Sequence, residues 1–235
     1  MCRLSIVIPV LNDAAVLKSY LSLMQSLRRA GHEIVLVDGG SCDGTQDVAR
    51  PLVDTVLSAR RGRAYQMNAG AAIARGDVLV FVHADTRLPD DAAQQVCAAM
   101  RGRSAVWGRF DVRLSGRRWW ARMIEWSMNW RSRVTGIATG DQAVFVRRCA
   151  FLRLGGFPEL LLMEDIAMSR RLKRMARPVC LKARVTTSSR RWETHGWLRT
   201  MLLMWGLRLA FALGVNATSL ARIYYPDQRD ASRRR

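Results

Sequence analysis

Short apolar runs alternate with amphipathic segments through the first hundred positions. Leu4 to Val10 is an apolar run with Pro9 near its end. Asn12 or Asp13 then offers a helix cap, with Leu17, Leu21, Met24 and Leu27 on one face and Gly31 as the stop. Ile34 to Val37 reads as a second buried strand and Val53 to Leu57 as a weaker third. Arg63 to Arg75 has helical character and ends at Gly76. Val78 to Val82 is unbroken apolar sequence, as a central parallel strand covered on both faces requires. Pro89 marks the first turn of a helix carrying Val96, Cys97 and Met100. Repeated strand–helix units predict a parallel sheet with right-handed crossovers.

Beyond residue 100 the pattern changes. Val106 to Leu114 alternates loosely and is expected as an outer strand. Residues 118–133 and 164–176 read as helices, Ala143 to Val146 as a short strand, and Pro178 to Arg184 as a return to the sheet. The last fifty residues are helical and arginine-rich, ending in Arg233 to Arg235. Trp119, Met123, Trp126 and Trp130 fall on one helical face, with Arg117, Arg118, Arg122, Arg131 and Arg133 around it. Such a face suits a helix lying at the headgroup level of an anionic leaflet, and equally a core or dimer contact. Trp197 to Val215 is long enough to suggest a span, but Arg199 and Arg208 interrupt it on opposite faces. That pattern argues against a span and leaves a tilted interfacial helix.

The chain has 235 residues, 49% hydrophobic and 24% charged, which is globular composition. Its net charge of +19 is unevenly placed. Residues 1–100 carry 10 basic and 10 acidic groups, whereas residues 169–235 carry 16 against 3. Residues 101–134 form a second basic zone, with 9 against 2. Two local zones point to an anionic surface, and the neutral first hundred residues count against a nucleic-acid coat. Cysteines at 2, 42, 97, 149 and 180 form no C-x-x-C pair, so no disulfide framework or zinc site is readable. The first apolar run is too short for a signal-peptide core, so the expected location is cytoplasmic.

In parallel sheets, ligands sit beyond the carboxyl ends of the strands. Here those loops are residues 9–13, 38–45 and 83–88, and they hold Asn12, Asp13, Asp38, Asp43, His83 and Asp85. Val37-Asp-Gly-Gly-Ser-Cys-Asp-Gly-Thr45 allows close backbone approach to a ligand, with Asp38 able to accept hydrogen bonds from a base or ribose. An ordinary turn with Asp43 capping the next helix has the same signature. Phe81-Val-His-Ala-Asp-Thr86 sets a carboxylate at the mouth of a central strand, a donor suited to a hard divalent cation. Asp85 as a turn cap and His83 as a structural residue are the plainer readings. Leu154-Gly-Gly-Phe-Pro-Glu159 precedes Met163-Glu-Asp-Ile-Ala-Met-Ser-Arg-Arg-Leu172. Glu164 and Asp165 suit a helix start, and a carboxylate there can also deprotonate an acceptor hydroxyl.

In this order the motifs resemble those of the family 2 glycosyltransferases, inverting nucleotide-sugar enzymes, over roughly residues 4–175. SIVIPVLND resembles the opening strand and loop, and VDGGSCDGT the V-D-D-G-S-x-D-G-T turn. RGRAYQMNAGAAIARGDVLVFVHAD resembles the stretch into the D-x-D metal motif, with His83 in place of the first aspartate. GGFPE and MEDIAMSRRL resemble the acceptor-side motifs. The nearest likeness is to a subgroup often encoded beside radical-SAM proteins. The resemblance implies an α/β GT-A fold, a Rossmann-like, mainly parallel sheet flanked by helices. That domain would span residues 1–185, with a basic helical extension over 186–235.

The resemblance also implies roles. Asp165 would be the catalytic base. Pro9, Asp13, Asp38, Arg63, Asn68, Ala84 and Asp85 would hold the nucleotide diphosphate sugar. Asp85, with His83 beside it, would ligate Mg²⁺ or Mn²⁺. Asp141, Glu164, Arg191 and Trp192 would stand on the acceptor side. Ser188-Ser-Arg-Arg-Trp192 resembles the Q-x-x-R-W motif of processive members, with Ser188 where glutamine belongs. The implied reaction is transfer to a hydroxyl or carboxyl acceptor, small or lipid-linked, at the inner face of the cytoplasmic membrane. A sugar nucleotidyltransferase would need a glycine-rich loop after the first strand, and Pro9-Val-Leu-Asn-Asp13 has none. A basic nucleic-acid-binding protein is the other rival. The acidic loop residues would repel phosphate unless metal is bound, so no nucleic-acid partner is expected.

Overall fold

The computed structural model describes residues 2–225 apart from residue 103. The Arg233–Arg235 tail and the end of the expected extension lie outside the described residues. The strands are β1 (Leu4–Val10), β2 (Glu33–Asp38), β3 (Thr55–Ser58), β4 (Val78–Phe81), β5 (Thr86–Arg87), β6 (Trp107–Leu114), β7 (Phe145–Arg147) and β8 (Val179–Thr187). The first helices are α1 (Ala14–Leu23), α2 (Gln25–Arg29), α3 (Thr45–Ala49), α4 (Arg63–Ile73) and α5 (Ala92–Ala99). They are followed by α6 (Trp119–Thr135), α7 (Arg148–Arg153), α8 (Glu164–Met175), α9 (Arg190–His195), α10 (Trp197–Ala212) and α11 (Ala217–Tyr224).

The strands form one sheet in the order β3-β2-β1-β4-β7-β6-β8-β5. The β3-β2-β1-β4 half is parallel, as the strand–helix alternation predicts. The other half is mixed: β7 runs antiparallel to β4 and β6, β8 parallel to β6, and β5 antiparallel to β8. β1 and β2 are buried along their whole length, which explains their unbroken apolar runs. Alternate residues serve the two faces. Ile6, Ile8, Ile34 and Leu36 join Leu17 and Leu21 of α1 and Ile124 of α6 in one core. Val7, Val35 and Val37 join Met67 and Ala71 of α4 and Met168 and Leu172 of α8 in the other.

Three expectations are corrected. β6 is not an outer strand, because it lies between β7 and β8. Its loose alternation reflects a buried charged cluster: Arg109 is fully buried and pairs with Asp111, which also accepts from Arg133 at 2.7 Å. Pro89 precedes the helix rather than opening it, since α5 starts at Ala92 behind Asp91. The first amphipathic segment breaks at Met24 into α1 and α2.

A smaller third core joins Leu162, Met163 and Ile166, around the start of α8, to Leu207 of α10 and Leu220 and Ala221 of α11. The C-terminal helices therefore pack against the segment that opens α8. The expected boundary after residue 185 falls inside β8.

Candidate active site

The loops after β1 and β2 are sewn together. Asn12 takes a positive φ of 56°. Its backbone N–H donates to Ser41 Oγ at 2.8 Å, and the Cys42 N–H donates to Asn12 Oδ1 at 3.0 Å. The Asp13 N–H donates to Thr45 Oγ1 at 3.0 Å and the Ala14 N–H to Asp43 Oδ2 at 3.0 Å. Asp38 sits beneath this seam, fully buried. It accepts from Gln46 Nε2 at 2.8 Å, from the Ser41 and Gly40 N–H groups, and from the Ser41 hydroxyl. Burial by itself raises its pKa, but the Ser41, Gln46 and Gly40 bonds outweigh it and hold the carboxyl below its ordinary value.

Asp38 therefore shapes the loop, and it is not among the residues that line the cleft. Asn68 is likewise turned away. Its amide accepts from the Phe157 N–H at 2.8 Å and donates to the Phe157 carbonyl at 2.9 Å, which anchors the Gly155–Gly156 turn. Gly156 has a φ of 77° and lies against Asn68, where a Cβ would come within 2.6 Å of Oδ1. Gln66, one turn of α4 after Arg63, takes the cleft-floor position instead. Its Nε2 donates to the carbonyls of Val10 and Val37, each at 2.8 Å. A polar residue inside an otherwise apolar helix face was the signal for it.

One cleft of about 1880 Å³ opens at this edge of the sheet. Pro9, Asp13 and Arg63 line it beside His83, Ala84 and Asp85. Asp141, Glu164 and Asp165 reach it from the loop before β7 and the start of α8. Arg191 and Trp192 of α9 also line it. Asp165 is tightly oriented: its Oδ2 accepts from the Gly140 N–H at 2.9 Å and its Oδ1 from the Ile166 N–H at 2.7 Å. A carboxylate has about four acceptor positions, so two bonds leave capacity for a substrate proton. Asp141 Oδ1 lies 3.6 Å from His83 Nδ1. Gly140 packs directly on that imidazole, and a Cβ there would come within 2.5 Å of Cε1.

The two neighbouring carboxyls of α8 differ. Glu164 is buried, and its pKa is raised by burial and by the charge of Asp165, with Arg63 acting in the opposite direction. Asp165 remains partly open to the cleft. Burial also works against the charged form of Asp141, but bonding to His83 and the charges of His83, Arg63 and Arg208 hold its pKa below the ordinary value. Burial disfavours the charge on Arg63, yet Tyr225, Glu164, Asp141 and Asp165 together keep it firmly protonated. Arg191 lies over the Tyr224 ring, 4.2 Å from its centroid, and bonds the phenol oxygen. Sequence reasoning missed Tyr224 and Tyr225 altogether. It placed Arg131 and Arg208 only in basic helices, whereas both reach this cleft.

Among the described residues, no cluster of three His, Cys, Asp or Glu side chains could hold a metal by itself. Asp85 presents an exposed carboxylate to the cleft, with His83 two residues away. A hard divalent ion of the Mg²⁺ type keeps several waters and takes one or two carboxylates plus substrate phosphates. This open oxygen-bearing donor set fits such an ion.

Residues 5–161 match the model of the family described as Glycosyl transferase family 2. A PGL/p-HBAD biosynthesis glycosyltransferase of Mycobacterium bovis is 32% identical over 164 residues, covering 65% of this chain. The match spans 62% of that relative's length. An undecaprenyl-phosphate 4-deoxy-4-formamido-L-arabinose transferase of Aeromonas hydrophila is 32% identical over 114 residues, 43% of this chain and 35% of the relative. Among solved structures, a mannosyltransferase from Pyrobaculum calidifontis in complex with GDP-Man and Mn²⁺ superimposes with a TM-score of 0.67. It is 20% identical, and the alignment covers 95% of this chain and 69% of that one. TarS 1–349 of S. aureus in complex with UDP gives a TM-score of 0.66 at 18% identity, covering 79% of this chain and 60% of that one. These likenesses establish the GT-A fold.

Proposed function

Because the chain belongs to glycosyl transferase family 2, we propose that it moves a sugar from a nucleotide diphosphate sugar to a hydroxyl or carboxyl acceptor, with inversion and with Mg²⁺ or Mn²⁺. The observation that carries this reading is the meeting of Asp85, Asp165, Arg63 and Arg191 in one cleft at the carboxyl edge of the sheet. The P. calidifontis and S. aureus proteins are described with GDP-Man and UDP, which supports the donor class.

Asp165 accepts the acceptor hydroxyl proton through the oxygen capacity its two backbone bonds leave free. The acceptor oxygen bonds the anomeric carbon on the face opposite the diphosphate. The bond from that carbon to the diphosphate breaks, and the nucleotide diphosphate leaves with the electron pair. Arg63 and Arg191 offset the negative charge that grows on it. A divalent ion held by Asp85, with His83 beside it, supplies further charge stabilisation for the diphosphate. Trp192 lines the same cleft beside Arg191.

The acceptor is lipid-linked in this reading, and the chain works as a peripheral protein at the inner face of the cytoplasmic membrane. The GT-A sheet carries the donor side of the cleft, and the basic C-terminal helices complete its lining and face the membrane in this reading. The A. hydrophila relative's name specifies an undecaprenyl-phosphate substrate, which supports an acceptor of that kind. Among the described residues, no helix is long and apolar enough to cross a membrane.

Calorimetry with UDP and GDP tests the donor and metal parts together. Binding is expected with Mn²⁺ or Mg²⁺, and a sharp loss with chelator or in Asp85→Ala. Equal affinity with and without the ion would remove the metal from the mechanism.

A further inference from the structure

We propose that Arg131 of α6 and Arg208 of α10 form a subsite for the oxyanion of an amphipathic acceptor whose apolar chain lies between these two helices. The proposal rests on the transferase reading and deepens it, since it gives the acceptor a charge and a tail.

Both arginines line the cleft. Among the described residues, Nε and Nη2 of Arg131 and Nε of Arg208 are buried without a hydrogen-bond partner. Arg131 Nη1 has only a long 3.5 Å contact to the Ile137 carbonyl. Neither guanidinium stands within ion-pair distance of a carboxylate among the described residues. A buried charged donor left unmatched is costly, and two like charges that feel each other are more so. Burial, Arg208 and Arg109 push the pKa of Arg131 down to about 10, against the pull of Asp165. Both groups nonetheless stay cationic near neutrality, and planar guanidinium forks suit a phosphate or carboxylate.

Placement relates this pair to the acceptor side. Arg131 and Arg208 stand on α6 and α10, whereas the donor-side Arg63 and Arg191 stand on α4 and α9. Arg131 and Arg208 also feel the charge of Asp165, the assigned base, as Arg63 does. What sets the pair apart is the apolar lining that its two helices bring to the cleft, which suits an acceptor with a tail. The cleft is also lined by Ile124 and Met128, three to seven residues before Arg131 on α6, and by Met201, Met204 and Trp205, three to seven residues before Arg208 on α10. An alkyl or prenyl chain matches that lining, and methionines adapt to irregular apolar shapes. The outer faces of the same two helices carry exposed tryptophans and leucines, so the tail leads toward a lipid surface.

The test titrates the full chain with decyl phosphate and decanoate, below their micelle concentrations, beside decyl maltoside and inorganic phosphate. Arg131→Gln and Arg208→Gln are measured in parallel, with UDP and GDP binding in Mn²⁺ and thermal melting for each protein. The parent chain is expected to bind at least one alkyl oxyanion at least tenfold more tightly than either control. Each variant should weaken that binding roughly 10- to 100-fold, as loss of charge-assisted hydrogen bonds does. Nucleotide binding should be unchanged, and melting should hold or rise because no partner is lost. Preference for the phosphate or the carboxylate probe then identifies the head group.

Equal binding of decyl maltoside would overturn the anion subsite, as would unchanged affinity in both variants. Inorganic phosphate binding as tightly as decyl phosphate would overturn the tail. Loss of nucleotide binding in the variants would assign the pair to the donor instead, and lowered melting in both would make it structural. If the parent binds alkyl oxyanions but no nucleotide diphosphate, the transferase reading fails and the acceptor assignment fails with it.

Discussion

Asp165 is held in part from outside its own helix: the Ile166 N–H of α8 bonds one carboxylate oxygen, and the Gly140 N–H, on a separate loop, bonds the other at 2.9 Å. That bond fixes the carboxylate toward the cleft, while the adjacent Glu164 is buried and biased toward its neutral form. Two adjacent carboxyls thus have different work to do. Asp165→Asn keeps size and removes the base. Turnover is expected to fall by about 10²–10⁴, as for other lost general bases, with donor binding retained. Measured kcat near the parent value would show that another group takes the proton. The residue scale was also where sequence reading was least secure. Asp38 and Asn68 stand in the expected segments but spend their polar atoms on Ser41, Gln46 and Phe157. A motif locates a residue on a loop, whereas its hydrogen-bond partners decide which way it points.

Among the elements, α4 carries the donor-side Arg63 and the loop-bridging Gln66, so its seat on the sheet matters. Gly70 provides that seat. A Cβ there would come within 2.5 Å of Val7 Cγ1 and 2.8 Å of Val37 Cγ2. Gly70→Ala gains about 1 kcal/mol of helix propensity. Overpacking against stiff, β-branched valines in a dense core costs about 1–3 kcal/mol. The second effect is expected to win, with a net loss of up to about 2 kcal/mol in urea unfolding and weaker nucleotide diphosphate binding as α4 shifts. A variant as stable as the parent would mean that the strands yield. α6 illustrates the opposite case, a helix with two apolar faces. Trp120, Ile124 and Met128 are core residues, whereas Trp119, Trp126 and Trp130 are 69%, 66% and 56% exposed. The one-sided tryptophan pattern was legible in sequence, but its direction, away from the core, was not.

Across the whole molecule, the basic excess and the exposed apolar residues share the same helices. Trp119 of α6 meets Trp197 of α10 at 5.6 Å, joining the two faces. Leu202, Trp205, Leu209 and Leu213 continue the exposed apolar surface along and just beyond α10. Each arginine near an anionic surface contributes about 1 kcal/mol, fading over a Debye length. Liposome co-sedimentation should therefore show binding that needs anionic lipid, weakens with salt and falls in Trp126→Ala and Trp130→Ala. A protein that ignores anionic vesicles at low salt while forming dimers would assign this face to self-association.

The sequence by itself determined the strand–helix alternation of the first hundred residues, the loops at the strand ends and the order of motifs that marks the family. These are local properties: burial on two faces requires unbroken apolar runs, and a turn requires its glycines. Only the tertiary structure decided that β6 runs inside the sheet, that Gly140 orients Asp165, and that Arg131 and Arg208 reach one cleft from separate helices. Each of those depends on groups far apart in the chain. Periodicity records which face of an element is buried, but not which distant element covers it or where an unpartnered charge comes to rest.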